Sequence, residues 1–473
     1  MKPAPDDETD FGGSLRADAM AIFRAGINAV RAGRLVVEKL RVTGGELQIG
    51  HERIELAGIK RVVIVGAGKA SGEMAAGAID AIAPHLRPNQ VLTGWVNVPE
   101  GVGAQTVPIR IFEARPQSEN LPTENVLAGT REIIRLIESL TDDDLCLCLI
   151  SGGGSALLAL PAEGISLADK RAISKLLSSK KASIQQLNRV RRQLSQVKGG
   201  RLLKHHRAGR FITLIISDIL GDPIDLIASG PTVISDNDSP QSALDVFREL
   251  QIGGDAIPVS VLQHLEREAA RNQNAARSNS PTLKKVANIV IGNIEVAIAA
   301  AAVEAKRLGY ECQTEIQLAP DLLADDEGQR FAGDIRRLQA LPGKQCLISG
   351  GEPVVRLCQH PGQGGRNQQL VLVATKVILD QPMRSPQENG FCLLSAGTDG
   401  EDGNVPVAGA LVDDHLIAES RARRIDPTPY IATNDAFSFF SQLDGSVVTG
   451  PTGTNVCDLR IVLSDNYDSA KPS

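Results

Sequence analysis

KRVVIVGAGKASGEMAAGAIDAI, residues 60–82, decides the fold class. Val62–Val65 is an apolar, β-branched run, Gly66-Ala67-Gly68-Lys69 is a turn, and an Ala-rich stretch of helical character follows. The same order of strand, glycine turn and helix returns along the chain. LCLCLISGGGSALL (145–158) is a buried strand ending in three glycines, and RFITLIISDILGDPI (210–224) is a strand ending in acidic residues. ANIVIGNIEVAIAAAAVEAKRLG (287–309) is strand, turn and helix again. KQCLISGGEPVV (344–355), FCLLSAGTDGEDG (391–403) and SVVTGPTGTN (446–455) close the series. Strands alternating with helices predict right-handed crossovers and mostly parallel sheets, with ligands beyond the carboxyl ends of the strands.

At 473 residues the chain exceeds one ordinary core, so two domains are expected. EAARNQNAARSNSPT (268–282) lacks apolar periodicity and is the candidate linker, after a loose acidic N-terminus over 1–15. The expected division is 16–270 and 283–465. Gly is frequent at 45 residues while aromatics make up 3%, which suits backbone turns and suits base stacking poorly. A net charge of -6 argues against a nucleic-acid partner. The basic run 180–210 reads for the most part as a solvated helix face, with part of it available to line an anion site. No apolar stretch approaches the roughly 18 residues of a membrane span, and MKPAPDDETDFGG is no signal peptide. Cys146, Cys148 and Cys346 lie in apolar runs and read as buried thiols of a cytoplasmic protein.

Several turns offer chemistry. Lys69 is not a Walker lysine, because Val63 stands where that motif needs glycine. Gly66 and Gly68 fit a dinucleotide turn, but Ser71 takes the third glycine position. The readings left are an anion held at a helix start beside Lys69, or a plain strand-to-helix turn with a solvated lysine. Ser151, Gly152, Gly153, Gly154 and Ser155 form a candidate nest of N–H donors and hydroxyls, and Gly450, Thr452 and Gly453 lie in a similar turn. Arg366 follows Gly364 and Gly365 before an apolar helical stretch and can hold a carboxylate or phosphate bidentately. Asp218 and Asp222, then Asp399, Glu401 and Asp402, sit after strands, where a carboxylate can bind Mg²⁺ or accept a hydroxyl proton. Asp435 reads as a helix cap, and His205 and His206 as solvated.

Taken in order, GAGKAS, SGGGSALL, LSQVKGGRL, SDILGDP with IASGPT, GGRNQ, SAGTDGEDG and GPTGTN resemble the class II glycerate kinases, also called the glycerate 2-kinase or MOFRL family. The resemblance covers about residues 16–463. It implies an α/β fold of two domains: a Rossmann-like N-terminal domain with a mostly parallel sheet, and a smaller α/β C-terminal (MOFRL) domain, with the active site in a cleft between them. It implies ATP, a divalent cation such as Mg²⁺, and phosphorylation of D-glycerate, in bacterial members to 2-phosphoglycerate. By motif, Lys69 and Arg366 resemble the family's essential basic residues and Asp218 and Asp399 its acidic ones, with Asp218 and Asp399 also the candidate metal ligands. Lys198 and Arg201 of VKGGRL match a further basic motif. ARPQSENLPTEN (114–125) departs from the HPxPD of many bacterial members, which leaves acceptor preference open.

The expected partners are D-glycerate and ATP, with a homodimer as the candidate assembly. An NAD(P)H-dependent hydroxypyruvate reductase using the Gly66–Gly72 turn is the second reading. Ser71 and the lack of an evident His–acid pair stand against it.

Overall fold

The computed structural model describes residues 14–102, 107–117, 121–234, 238–274, 285–319, 321–380 and 389–466. The chain divides into two compact units, one made of residues 32–293 and the other of 1–31 together with 294–473. The division differs from the expected one in two places. The helix Leu15–Ala29, whose start is capped by Ser14 Oγ accepting from Ala17 N at 3.1 Å, belongs to the second unit. The expected linker begins inside the helix Val259–Asn274, residues 275–284 lie outside the described residues, and the strand after them joins the first unit. Of the loose start expected over 1–15, residues 1–13 lie outside the described residues, and Ser14 and Leu15 instead cap and open the helix Leu15–Ala29.

The first unit opens with a small antiparallel sheet, β1 (Leu40–Thr43), β2 (Glu46–Ile49) and β3 (Glu52–Glu55). Its main sheet is built from β4 (Arg61–Ala67), β5 (Val91–Pro99), β6 (Ile109–Arg115), β7 (Asp144–Ile150), β8 (Arg210–Ile216) and β9 (Val286–Gly292). The spatial order is β6-β5-β4-β7-β8-β9, and each neighbouring pair is parallel. The chain builds outward one way from β4 and then restarts at β7 to build outward the other way. The crevice beyond β4 and β7 is therefore the switch point where such sheets take ligands. β7, fully buried, reads as an unbroken apolar run because helices cover both faces of a parallel sheet.

A second, purely helical core in this unit packs Ile173, Leu177, Val190, Leu194, Val246, Phe247, Val261 and Leu265. These come from the helices Leu167–Ser179, Ile184–Gln193, Pro240–Glu249 and Val259–Asn274, with Leu194 directly following the second of them. Capping boxes start the first three, at Ser166, Ser183 and Ser239, so their entry points are fixed locally.

The second unit holds a mixed sheet of β10 (Glu311–Ile316), β11 (Gly343–Gly351), β12 (Asn389–Gly397), β13 (Gly409–Asp413), β14 (Ser446–Val447) and β15 (Asp458–Asn466), in the order β10-β11-β15-β12-β13-β14. β15 runs antiparallel between β11 and β12, which departs from the mostly parallel expectation. Its first residue, Asp458, is in register with Gly351 and with Gly397, the last residues of those two strands. The helix Leu15–Ala29 packs closely here: a Cβ on Gly26 would lie 2.8 Å from Leu459 Cδ2 and 3.1 Å from Ala297 O.

Candidate active site

In the first unit the switch point is closed by the protein's own groups. Lys69 N donates to Gly152 O at 2.8 Å, Ala70 N to Ser151 Oγ at 3.0 Å and Ser71 Oγ to Leu149 O at 3.2 Å. The Ser71 and Ser151 hydroxyls lie 3.2 Å apart, and both residues are buried. Gly68 has φ +155, and a Cβ there would sit 2.1 Å from Ser151 Oγ. A Cβ on Gly66 would meet Leu149 O at 2.3 Å.

The sequence offered Gly66, Gly68 and Ser151 as cofactor ligands. Their space and hydrogen bonds instead tie the turn after β4 to the turn after β7. In a dinucleotide fold the second glycine makes room for a pyrophosphate. Here Ser151 fills that room, so the reductase reading loses its binding turn.

Of the remaining glycines, Gly152 accepts the Lys69 bond, and Gly154 is buried against Ala67 O and Ala228 Cβ. Gly153 adopts φ +75, and a Cβ there would lie 3.4 Å from Lys69 Cγ and 3.5 Å from Arg115 Nη2. Lys69, Gly153 and Arg115, the last residue of β6, therefore come together.

Lys198, only 2% exposed, directs Nζ to Ser155 O at 2.7 Å, Ser155 Oγ at 3.0 Å and Ala228 O at 3.3 Å. Ser155 Oγ in turn lies 2.9 Å from Ser229 Oγ, which donates to Asn188 Oδ1 at 2.9 Å. Ala228, Ser229 and Gly230 all have positive φ, a strained run that Gly199 N and Gly200 N pin through Ser229 O and Gly230 O. VKGG and IASGPT are thus two halves of one construction. Burial, then the charges of Lys170, Arg191 and Arg192, push the Lys198 ammonium well below its ordinary range.

The basic run over 180–210 is not mainly a solvated face. Arg192 is buried against Asp225 and Asp238, and Arg201 Nη1 donates to Arg192 O and Lys198 O at 2.7 and 3.2 Å. Arg201 is therefore structural. His205, expected to be solvated, pairs with Glu138 at 2.6 Å, and His206 packs edge-on against Phe211. Asp218 is half-buried in the turn after β8, behind Ser217, whose N–H donates to Gly292 O at 2.9 Å. Asp222 accepts from Asn293 Nδ2.

In the second unit, Arg366 opens the helix Arg366–Asp380. It grips Asp458 through Nε at 2.7 Å and Nη2 at 3.0 Å, while Nη1 reaches Glu352 at 2.8 Å. Burial opposes the Arg366 charge, but Asp458 and Glu352 outweigh it and hold the guanidinium firmly protonated. Burial raises the Glu352 carboxyl, against the pull of Arg366.

Asp402 is spent on the same helix. It accepts from Asn367 N and Gln368 N at 3.0 and 2.9 Å and from both their side-chain amides, a cap supplied from a distant loop. Gly365 lacks a Cβ because Asp402 Oδ1 would stand 2.3 Å from it.

Asp399 is half-buried, and its carbonyl accepts from Thr452 N at 3.4 Å. Thr452 Oγ1 donates to Thr398 O, so the turns holding Asp399 and Gly450–Gly453 are brought together. Asp435 stands at the start of the helix Ala436–Gln442 and accepts from Gln363 N at 2.9 Å. Arg366 lines a pocket of about 470 Å³ with Val354, Leu357, Gly364 and Gln369.

Sequence reasoning missed Arg115, Lys170, Glu352 and Asp458. Asp458 carried a signal, being the acidic residue at the strand start directly after GPTGTNVC. Lys170, in ADKRAI, carried none, because it reads as helix surface.

Residues 18–266 match the family described as a domain of unknown function, DUF4147, and residues 345–458 match the MOFRL family. The chain is 33% identical to the glycerate kinase of Danio rerio, over 95% of this chain and 98% of that one. It is 32% identical to the D-glycerate 2-kinase of Thermotoga maritima, over 95% and 98%. The crystal structure of a glycerate kinase from Thermotoga maritima superposes with a TM-score of 0.78 at 31% identity, covering 95% of this chain and 99% of that one. No helix among the described residues is long and apolar enough to cross a membrane.

Proposed function

The chain belongs to the glycerate kinase family built from DUF4147 and MOFRL domains, and from that premise we propose how its residues carry phosphoryl transfer from ATP to D-glycerate, with 2-phosphoglycerate as the product. Transfer forms a bond from an acceptor hydroxyl oxygen to the γ-phosphorus and breaks the bond to the β,γ-bridging oxygen, while the hydroxyl proton leaves to a base. Such a transition state needs positioning and neutralisation more than covalent help. Lys69 and Arg366 supply fixed positive charge for phosphate oxygens. Arg366 suits this task because Asp458 and Glu352 already hold its plane.

The pocket beside Arg366, about 470 Å³ with Val354 and Leu357 on its wall, suits a nucleotide. Asp218 is our candidate base for the acceptor proton. The described residues contain no group of three or more His, Cys, Asp or Glu able to hold a metal alone. A metal there fits as Mg²⁺ carried on ATP and completed by one carboxylate, for which Asp399, beside the 450–453 turn, is the candidate. Such an ion, when bound, neutralises charge on the transferring phosphoryl group. Five of the seven cysteines are buried, which suits the reducing conditions of a cytoplasm.

Near-full-length similarity to glycerate kinases is the observation that carries this reading. NMR of the product formed from D-glycerate and ATP–Mg²⁺ tests it, with phosphorus on the 2-oxygen expected. Oxidation of NADH by hydroxypyruvate without ADP formation would overturn it. Lys69→Ala preserves the main-chain bond to Gly152 and is expected to lower kcat/KM by about 100-fold.

A further inference from the structure

We infer that a basic pocket in the first unit, over the end of β7, seats the carboxylate of the acceptor acid and that Lys170 selects for it. The inference rests on the kinase reading and extends it to a residue that no sequence motif marked.

The cavity has a volume of about 180 Å³ and is lined by Lys170, Arg171, Arg191 and Lys198 together with Gly153 and Ser155. Among the described residues, no Asp or Glu lines it. Lys170 is 5% exposed and its Nζ has no hydrogen-bond partner. A buried ammonium without a partner is costly, and the ordinary remedies are a carboxylate neighbour or an apolar substitute. Neither is present. The neighbouring groups add positive charge, and burial followed by the charge of Arg191 lowers the Lys170 ammonium to about 7. An anion entering the cavity would satisfy it.

The four cations are not equivalent. Arg171 spends Nε and Nη2 on Pro122 O, and Lys198 is held by three oxygens. That leaves Arg191 and Lys170, and of these Lys170 is the more deeply buried, with Nζ lacking a hydrogen-bond partner. Its helix is fixed by the capping box at Ser166 and Asp169, and Ile173 and Leu177 anchor it in the helical core. Lys170 is therefore held in place before any ligand arrives, which limits the entropy lost on binding.

Size narrows the ligand. At about 180 Å³ the cavity is less than half the volume of the pocket beside Arg366, and it suits a three-carbon acid better than a nucleoside triphosphate. Charge narrows it again, because a neutral polyol of the same shape would leave the ammonium unpaired.

The experiment uses the full chain and two variants, Lys170→Met, which keeps the volume, and Arg191→Gln. Steady-state kinetics with D-glycerate and ATP–Mg²⁺ would be combined with calorimetry using D-glycerate, inorganic phosphate and glycerol separately. We expect each variant to raise KM for D-glycerate by about tenfold or more, with KM for ATP within about twofold and unfolding midpoints at or above wild type for Lys170→Met. Lys170→Arg should recover part of the loss. Wild type should bind D-glycerate more tightly than glycerol.

If phosphate displaces D-glycerate from wild type but not from the variants, the site takes oxyanions in general and the carboxylate assignment falls. The assignment also falls if KM for ATP moves instead, or if neither constant moves, while the kinase reading stands in both cases. Absence of turnover by wild type would sink the kinase reading, and calorimetry would still decide the pocket.

Discussion

Arg366 and Asp458 face each other in a two-bond fork, Nε to Oδ2 at 2.7 Å and Nη2 to Oδ1 at 3.0 Å, with the Asp458 side chain 1% exposed. The arginine cannot be removed without leaving a buried carboxylate unpaired. Arg366→Ala should therefore cost about 2 kcal/mol or more of stability in addition to activity. Arg366→Lys keeps the charge but not the fork and should cost less stability. Urea unfolding followed beside kcat/KM separates the two effects, and an Arg366→Ala variant as stable as wild type would show that the fork is not structural.

Gly68→Ala places a methyl 2.1 Å from Ser151 Oγ and within 2.9 Å of Ser151 backbone atoms. Overpacking of this kind costs about 1–3 kcal/mol, and the φ of +155 adds strain. Adding Ser151→Ala should recover only part of the loss, since the backbone contacts persist. Thermal midpoints of both variants decide it, and full recovery in the double variant would place the whole clash on the hydroxyl.

Burial raises the Asp402 carboxyl to about 6, against the two backbone N–H groups it caps. The unfolded carboxyl, at 3.8, loses its proton first, so between about pH 4 and 6 the folded state holds the extra proton. Stability then falls as pH rises through that window, by up to about 1.4 kcal/mol per pH unit from this group. Asp402→Asn should flatten that slope while weakening the helix start. An unchanged slope would mean the cap bonds hold the group ionised.

Lys170 gives the opposite sign. Its folded ammonium sits at about 7 against 10.5 unfolded, so across that range the unfolded chain binds more protons and stability rises with pH. Among the described residues its facing charged groups are Arg171 on its own helix, Arg191 and Lys198, all of like charge. Denaturant titrations of ligand-free wild type and Lys170→Met between pH 7 and 10 should differ in slope, the variant being flatter. Parallel curves would mean Lys170 is charged throughout.

The strand-and-turn grammar made the parallel sheet legible, because β4, β7 and β8 are buried on both faces and had to be apolar. The turns were legible as places and not as contacts. Sequence shows that Gly68 and Ser151 lie in turns, but not that one fills the space the other leaves. Asp402 looked like Asp399 and proved to cap a helix thirty-odd positions earlier in the chain, a pairing that only tertiary structure creates. Lys170 was invisible because helical periodicity cannot show that a second layer of helices buries that face. The antiparallel course of β15 was hidden for a related reason, since strand direction leaves no mark in composition.

The helix Leu15–Ala29 has a consequence for how the chain is made. Its packing partners include Ala297 and Leu459, so it is synthesised well before the residues it packs against. The unit of residues 32–293 can complete itself meanwhile, as a guest within an interrupted host. Cutting the gene after residue 293 would therefore yield a C-terminal fragment with an unfilled seam along Leu459, while a splice joining residue 31 to 294 would keep the host whole.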